Sequence, residues 1–186
     1  MRESKIQVTN ERDLFDGKFI KVIGRDFIHN GRTGLWECVK RKTFGKIVAV
    51  AAITPNQELI LVKIFRVPIQ GWIIELCAGL MDRSGETEVE LAQKELLEET
   101  GYHSDNITHL MTGHFNAGLL ADQMAVYLAL DAIKIDEPTL ETGEDIEVIS
   151  VPLKSAHKLL ENPPEGVSVD MKIFSVIYHP IIRRLY

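Results

Sequence analysis

The sequence predicts an α/β fold, in which a mixed β-sheet lies between helices and follows an N-terminal β hairpin. Residues 47–54 form an unbroken apolar run, which is typical of a strand buried on both faces. Residues 87–100 combine helix start and stop signals with an apolar stripe, and residues 18–42 are rich in β-branched and aromatic side chains. Strands on both sides of the long helix indicate the mixed sheet. Because the β-rich segment at residues 18–42 precedes a sheet that begins near residue 47, we divide the chain into a β-rich region, residues 1–45, and a larger domain, residues 46–186.

The hairpin consists of strands at residues 18–28 and 35–42, which follow a polar lead. Asn30-Gly31 joins them, a pair that favours the tight turns of hairpins. The remaining predicted elements, in chain order, are strands at 58–65, 72–76, 107–115, 123–131 and 146–152, a short helix at 154–161 and a final helix at 169–185. Pro180 should kink or shorten this final helix.

The long helix has recognisable ends. Thr87 followed three residues later by Glu90 predicts a capping box at its start, and Gly101 suits the left-handed conformation that ends a helix. Its apolar stripe is predicted to consist of Val89, Ala92 and Leu96.

Three carboxylates share one face of this helix. Glu95, Glu98 and Glu99 stand at positions i, i+3 and i+4, so their side chains are neighbours. Such crowding is unfavourable unless a cation lies among them, and Mg²⁺ is commonly held by a few carboxylates together with water and substrate phosphates. A solvated acidic helix face is the alternative, and the spacing alone leaves both interpretations open.

Composition narrows the range of partners. The formal net charge of −6 argues against a nucleic-acid partner, so a phosphate-bearing ligand would need local cations or a metal. Cys38 and Cys77 lack metal-ligand spacing and are predicted to be free thiols in a reducing compartment. Since no apolar run is long enough to span a bilayer, and the sequence MRESKIQVTNERD does not resemble a signal peptide, we expect a cytoplasmic protein without a membrane partner.

The order of residues around the acidic helix resembles the Nudix box, G-x5-E-x7-R-E-U-x-E-E-x-G-U, where U is a bulky apolar residue. Glu86 is followed by seven residues and then by KELLEETGY. Two departures occur. Lys94 replaces the arginine of the box, and six residues rather than five separate Gly79 from Glu86. Because arginine and lysine orient carboxylates differently, Lys94 should hold its neighbours less rigidly. A bulge at Ser84-Gly85 can absorb the extra residue, since glycine accepts the necessary backbone angles. The alternative is that the extra residue shifts the loop that enters the helix.

Beyond the box, the stretch LVKIFRVPIQGWIIELCAGLMD resembles a signature of the ADP-ribose pyrophosphatase branch of Nudix hydrolases, and the resemblance extends over nearly the whole chain. It implies a Nudix α/β/α sandwich with a mixed sheet, preceded by an N-terminal β hairpin domain that makes a domain-swapped homodimer.

The resemblance also implies a site. Its metal ligands would be Glu95 and Glu99, assisted by Glu98 and by the backbone carbonyl of Ala78, with Mg²⁺ as the expected ion and Mn²⁺ as a possible substitute. Glu86 would lie at the edge of the site, supporting the helix start or the outer metal shell.

Three residues outside the helix match substrate-binding positions of the same branch. Arg66 would bind a substrate phosphate, for which a fork of donors is suited. Trp36 matches a tryptophan that stacks on adenine in some relatives. Glu75 would bind the substrate ribose or stabilise its own loop, and the sequence leaves both open. A surface ion pair for Arg66 and a half-buried sheet aromatic for Trp36 are the structural alternatives.

A general base is expected from the loop LETGED, which matches the mobile catalytic loop of the resembling enzymes. Glu144 is the first candidate and Glu141 the second, and a solvated acidic loop is the alternative. His114 could transfer a proton, although a lone histidine at a strand end is more often structural.

The substrate is predicted to be ADP-ribose or a related nucleoside diphosphate sugar. Asn116-Ala117-Gly118 lacks the proline that ADP-ribose hydrolases usually carry there, and Cys77 replaces another proline. A hydrolase of a GDP- or UDP-hexose is therefore one alternative. A nucleotide-sugar sensor without hydrolytic activity is another, although such a binder has no need of a crowded carboxylate cluster.

Overall fold

The computed structural model describes residues 3–42 and 45–186 of the chain. Its first element is an antiparallel sheet of three strands, ordered β1 (Ile6–Asp16), β2 (Ile20–His29) and β3 (Arg32–Arg41). The hairpin of β2 and β3 confirms the predicted turn, because Asn30 and Gly31 have φ angles of 51° and 76°.

The predicted polar lead was wrong, because most of it forms β1. Two register shifts, between Val8 and Asn10 and between Asp13 and Phe15, interrupt the alternation by which a strand is recognised. All eleven residues of the strand are exposed. Its charged side chains pair with β2, for example Glu11 with Arg25 at 2.8 Å.

The remaining strands build the larger domain. In chain order they are β4 (Ile47–Ile53), β5 (Glu58–Arg66), β6 (Gly71–Glu75), β7 (Cys77–Leu80), β8 (Tyr102–His103), β9 (Asn106–Gly113), β10 (Met124–Leu130), β11 (Ile133–Lys134), β12 (Ile146–Pro152) and β13 (Val167–Val169). Eight of them form a mixed sheet with the order β13-β6-β5-β4-β10-β9, in which β12 pairs with β5 and β7 with β4. β4 lies parallel to β10, and β13 parallel to β6, whereas the other pairs are antiparallel. β8 and β11 form a separate pair.

The helices are α1 (Glu88–Thr100), α2 (Ala156–Glu161) and α3 (Lys172–Ile177), with short 3-10 turns at Val67–Ile69, Leu153–Ser155 and Ile182–Arg184. The prediction of one helix over residues 169–185 was wrong in extent. Its first residue belongs to β13, which pairs with β6, and Pro180 separates α3 from the last turn. Among the described residues, none of the helices has the length and apolarity needed to cross a membrane.

The core lies on both faces of the mixed sheet. β4 is buried along its whole length, as the apolar run predicted. Alternate residues of β4 point to opposite faces, so Val48, Val50 and Ala52 share a cluster with α1. Ala49, Ala51 and Ile53 share the other cluster with α3. The domain is thus an α/β/α sandwich with helices on both sides of a mixed sheet.

The N-terminal sheet touches this domain through β3. The backbone amide of Val39 donates to the carbonyl of Leu119 at 2.8 Å, and the carbonyl of Val39 accepts from the amide of Ala121 at 3.0 Å. Arg41 pairs with Asp122 at 3.2 Å. β3 is therefore the strand through which this sheet is hydrogen-bonded to the sandwich.

Candidate active site

Helix α1 begins and ends at the residues that the sequence indicated. Thr87 Oγ1 accepts from the amide of Glu90 at 3.2 Å, and Glu90 Oε2 accepts from the amide of Thr87 at 2.8 Å, which completes a capping box. Gly101 has a φ of 74°, and a Cβ there would lie 2.0 Å from the carbonyl oxygen of Asp136. The predicted stripe was wrong in one residue, because Val89 is 38% exposed and Leu91 is buried in its place.

The loop between β7 and α1 contains the extra residue of the box. Gly85 has a φ of 87°, a left-handed conformation that suits glycine, as expected for a turn at this point. The first turn of α1 is fixed independently of this loop. Glu88 accepts from Lys46 Nζ at 2.7 Å and from the Tyr127 hydroxyl at 3.0 Å. The helix start is therefore anchored to the sheet, and a turn at Ser84-Gly85 precedes it.

Glu99 is the most buried of the helix carboxylates, with 5% of its surface exposed. Its Oε2 accepts from the backbone amide of Ala78 at 3.2 Å. Burial raises the pKa of Glu99 to about 8, and the negative charges of Glu95 and Glu144 act in the same direction, against the amide of Ala78 and the charge of Arg66. A divalent cation beside Glu99 would relieve this penalty.

Glu95 lies directly against β7. A Cβ on Gly79 would be 2.2 Å from Glu95 Oε1, so a larger residue there would displace this carboxylate. Burial raises the pKa of Glu95, although the Lys94 ammonium opposes the shift. Lys94 Nζ lies 3.3 Å from Glu95 Oε1 and 3.2 Å from Glu98 Oε2. The lysine thus bridges two of the three helix carboxylates.

These groups share one cavity of about 240 Å³, which we call the carboxylate cavity. Its lining includes the predicted site residues Arg66, Ala78, Glu95, Glu98, Glu99, Glu141 and Glu144. Asp82, which the sequence analysis did not single out, lines it as well; its position in the LMD end of the signature was the available signal. The structure brings these residues together, and their individual roles stay predictions.

The donor set of the carboxylate cavity fits a hard divalent cation, since its ligand atoms are carboxylate and carbonyl oxygens. Within the two described segments, no three His, Cys, Asp or Glu side chains are already arranged to hold a metal ion. Lys94 pairs with Glu95 and Glu98 at the edge of this donor set.

Arg66 and Glu75 form an ion pair at the edge of the carboxylate cavity. Glu75 Oε2 accepts from Arg66 Nε at 3.1 Å and from Nη2 at 2.6 Å. Both residues also line a second cavity of about 370 Å³, which we call the distal cavity. The two cavities share Arg66 and residues 78–80, so they are contiguous. Glu75 therefore orients Arg66 between them.

The two candidate bases belong to one turn. The amide of Glu141 donates to Glu144 Oε2 at 2.8 Å, and the amide of Glu144 donates to the carbonyl of Glu141 at 3.1 Å. Gly143, with a φ of 100°, permits the turn. Glu144 raises the pKa values of both Glu95 and Glu99, so its charge faces theirs.

Trp36 and His114 lie outside the carboxylate cavity of the same chain. Trp36 is 56% exposed and its Nε1 donates to the carbonyl of Gly118 at 2.9 Å. It lines a separate cavity against the N-terminal sheet. His114 Nδ1 lies 3.0 Å from the carbonyl oxygen of Asp122 and Nε2 lies 3.3 Å from Gln123 Nε2, an arrangement that holds the ring in place. This geometry agrees with a structural histidine.

Glu86 and the two cysteines are also accounted for. Glu86 Oε2 is buried beside the start of α1 and has no hydrogen-bond partner in the part of the chain that the structure describes. Cys38 and Cys77 are free and buried, as predicted. Burial raises the pKa of the Cys77 thiol well above its usual value, so this residue is a neutral packing group next to Ala78.

Comparisons with known proteins agree with this architecture. The model of the NUDIX domain matches residues 43–170. The chain is 32% identical to the ADP-ribose pyrophosphatase of Bacillus subtilis (strain 168), over 87% of this chain and 86% of the relative. It is 28% identical to the ADP-sugar pyrophosphatase of Mus musculus, over 90% and 84%. The GDP-mannose pyrophosphatase of Pectobacterium atrosepticum is also 28% identical, over 67% and 66%.

A solved structure described as an ADP compounds hydrolase has the same fold. It superposes with a TM-score of 0.79 over 100% of this chain and 96% of that chain, at 21% sequence identity. Nudix hydrolases generally need divalent metal ions, which agrees with the oxygen donors of the carboxylate cavity. The NUDIX match over most of the chain, together with the identity to the Bacillus subtilis enzyme, shows that this protein is a member of the Nudix hydrolase family.

Proposed function

We propose that the protein hydrolyses the pyrophosphate bond of ADP-ribose or a related nucleoside diphosphate sugar, giving a nucleoside monophosphate and a sugar phosphate. The observation that carries this proposal is the contact between the carboxylate cavity and Arg66, because it places oxygen donors for a metal beside a guanidinium for a phosphate. Relatives named ADP-ribose pyrophosphatase and ADP-sugar pyrophosphatase support the substrate class.

The roles of the residues follow from their positions. Glu95, Glu98 and Glu99, with the carbonyl of Ala78, would hold the ion, for which we propose Mg²⁺ with Mn²⁺ as a substitute. Bound there, it would offset the charge of the diphosphate and acidify the attacking water. Arg66 donates from Nε and Nη2 to Glu75, which orients the guanidinium, and its remaining N–H donors bind an oxygen of the diphosphate.

Glu144 is the proposed base. It lines the carboxylate cavity and its carboxylate is held by the amide of Glu141, so it can accept the proton of the attacking water. Glu141 lies in the same turn and is the second candidate. Replacing each residue by glutamine distinguishes the two candidates. The variant that lacks the base should lose more activity at neutral pH than at alkaline pH, because hydroxide can attack at alkaline pH without giving up a proton.

A second candidate substrate is a GDP- or UDP-hexose. The similarity to GDP-mannose pyrophosphatases of Pectobacterium atrosepticum and Yersinia enterocolitica favours it, as do Cys77 and the turn Asn116-Ala117-Gly118, which differ from the pattern of ADP-ribose hydrolases. The sugar and base preferences of the protein decide between these substrates.

We also propose that residues 1–45 make a domain-swapped homodimer, with residues 46–186 as the hydrolase domain. The N-terminal sheet leaves large apolar side chains exposed, among them Val8, Phe15, Phe19 and Trp36. Trp36 does not line its own carboxylate cavity and is half exposed, so it is free to stack on the base of a substrate bound to the other subunit. The free buried cysteines fit a cytoplasmic location.

The test is incubation of the protein with a panel of nucleoside diphosphate sugars and Mg²⁺, Mn²⁺ or excess chelator, with the products identified by mass spectrometry. We expect hydrolysis in either metal, none in chelator, and a nucleoside monophosphate plus a sugar phosphate as products. Binding of a nucleotide sugar without turnover by the wild-type chain in any metal would instead favour the sensor.

A further inference from the structure

The distal cavity contains an ion pair that the reaction described above does not use. Asp170 follows β13 directly, and its amide donates to the carbonyl of Ile74 at 2.9 Å. Asp170 Oδ1 accepts from the amide of Lys172 at 2.8 Å, and Oδ2 pairs with the Lys172 ammonium. The side chain of Asp170 is 10% exposed and that of Lys172 is 33% exposed. The pair is thus fixed by the turn between β13 and α3.

An aromatic ring stands beside this pair. The Lys172 ammonium lies 5.6 Å from the centroid of the Phe115 ring. Phe115 packs against the core cluster and lines the distal cavity together with Asp170 and Lys172. Three chain segments that are distant in sequence therefore meet there: the end of β9, the start of α3 and the strand that carries Glu75.

The position of the pair relates it to the diphosphate site. The distal cavity begins at Arg66 and residues 78–80, which it shares with the carboxylate cavity. A substrate whose diphosphate lies on Arg66 and the metal ligands would extend one of its two ends into the distal cavity. Its volume of about 370 Å³ is within the range of small-molecule sites.

The chemistry of the far wall favours a sugar. Asp170 and Lys172 together carry no net charge, so they do not attract a further phosphate, but they offer both acceptors and donors. A sugar ring presents hydroxyl groups that donate and accept, and apolar C–H faces that can pack on an aromatic ring. Phe115 supplies such a ring beside the pair.

We propose that Lys172, Asp170 and Phe115 form the subsite for the sugar of the substrate and determine which sugar is accepted. This inference rests on the proposed hydrolysis of a nucleoside diphosphate sugar. Lys172 donates to a ring hydroxyl, Asp170 positions the ammonium, and Phe115 packs on the sugar face. The nucleobase would then occupy the opposite end of the substrate, next to Trp36 of the other subunit.

The direct test measures binding of the two product halves separately, by calorimetry in the presence of Mg²⁺. The Lys172→Met variant keeps the aliphatic stem and removes the donor. We expect it to bind ribose 5-phosphate roughly tenfold more weakly, since a hydrogen bond from a charged group is lost, while AMP binding stays within about twofold. Lys158→Met, exposed on α2, is the matched control and should change neither.

Two further variants separate specificity from folding. Phe115→Leu should also weaken ribose 5-phosphate selectively, and Lys172→Arg should restore much of the lost affinity. Thermal unfolding of each variant gives its folded fraction. Equal weakening of AMP and ribose 5-phosphate by Lys172→Met would assign Lys172 to the ribose phosphate that both products share, and weakening of AMP alone would place the nucleotide in the distal cavity. Either result would overturn the proposal.

Kinetic measurements provide a second readout. The ratio of kcat/KM for ADP-ribose over ADP-glucose should change in Lys172→Met, whereas the ratio for ADP-ribose over GDP-ribose should not. A wild-type chain that hydrolyses none of these compounds, yet binds ribose 5-phosphate in a Lys172-dependent way, refutes the hydrolase and keeps the subsite. Hydrolysis with an unchanged sugar ratio refutes the subsite and keeps the hydrolase.

Discussion

The N-terminal sheet and the central sheet of the sandwich contain similar strands in opposite environments. All seven residues of β4 are buried, with helices over both faces of its sheet. All eleven residues of β1 are exposed. β1 instead carries a ladder of ion pairs to β2, including Arg12 with Asp26 and Arg25 with Glu11. Exposed pairs of this kind contribute little to stability.

The difference shows that the two regions depend on different partners. The sandwich buries its apolar side chains within one chain, so it holds the carboxylate cavity by itself. Among the described residues of the N-terminal sheet, the buried ones are Ile23, Gly24 and Cys38, whereas Phe15, Phe19 and Trp36 are exposed, so the sheet gains stability mainly when another surface covers it. We propose that a second copy of the chain supplies this surface.

Removing the N-terminal sheet should have the largest effect. A chain shortened to begin at residue 45 should be monomeric and should not bind the substrate, because it lacks the proposed dimer surface and Trp36. Light scattering and calorimetry measure both properties, and circular dichroism verifies that the sandwich is folded. A dimeric wild type and a monomeric, fully active shortened chain would together show that the sheet is dispensable.

Glu99→Gln should affect the sandwich alone. Loss of a partner that merely supports a metal ligand commonly costs 10–100-fold, so loss of the ligand itself should reduce hydrolysis by at least about 100-fold. Metal affinity should fall, whereas the proposed dimer should persist. Thermal stability without metal should hold or rise, because the variant no longer buries a carboxyl group whose pKa is raised by burial and by neighbouring carboxylates. Normal turnover by the variant, or by the wild type in excess chelator, contradicts the metal site.

Matched leucine substitutions compare packing in the two regions. Leu61 in β5 is fully buried and Leu35 in β3 is 45% exposed. Leu61→Ala should reduce the free energy of unfolding by about 2–5 kcal/mol. Leu35→Ala should cost less than about 1 kcal/mol in dilute, monomeric protein and should weaken the dimer. Chemical denaturation at two protein concentrations measures both effects, and equal costs at both sites would remove the contrast.

The pH dependence of stability should arise mainly in the sandwich. The pKa of Glu99 rises from 4.5 to about 8 on folding, so the folded chain binds more protons than the unfolded chain between these values. The free energy of unfolding of the metal-free protein should therefore fall as the pH rises from about 4.5 to 8, by at most about 1.4 kcal/mol per pH unit. Glu99→Gln should lack this slope, and an unchanged slope in that variant would assign the effect elsewhere.

The smallest effects are expected where the chain departs from the Nudix box. Lys94→Arg should raise the rate by less than about tenfold, because a planar fork orients Glu95 and Glu98 better than the present ammonium does. Deleting Arg83 should change the rate little if the turn at Gly85 absorbs the extra residue, as we propose. Steady-state kinetics measure both, and a gain of several orders of magnitude from either would indicate a natural protein with little hydrolytic activity.

Local signals allowed much of the fold to be predicted. The apolar run of β4 and the caps of α1 depend on neighbouring residues, and both were found within one or two positions. β1 was missed because its bulges and charged residues hide the alternation of a strand. The last helix was predicted to be too long, because the pairing of β13 with β6 is a tertiary contact that no local sequence pattern indicates.

The site was predictable to a similar degree. Glu95, Glu98 and Glu99 lie together because helical spacing requires it. Arg66 and Glu144 entered through resemblance, and the structure places them in the same cavity. The sequence did not indicate Asp170 and Lys172 as site residues. Their contact with Phe115 depends on the parallel pairing of β13 with β6 and on the packing of α3, which bring segments that are distant in sequence to the distal cavity.

The C-terminal end of α1 holds the start of the loop that carries Glu144. The carbonyl of Gly101 accepts from the amides of Ile135 and Asp136, and the carbonyl of Glu98 accepts from the amide of Thr139 at 2.8 Å. At the other end, the carbonyl of Asp145 accepts from the amide of Phe65 at 3.2 Å. Only residues 140–144 lie between the hydrogen-bonded residues Thr139 and Asp145. The segment that carries Glu144 is therefore a short loop whose first end is hydrogen-bonded to α1, the helix of the other carboxylates. Because short loops lose little entropy on ordering, Glu144 can take up one position beside that helix at small cost.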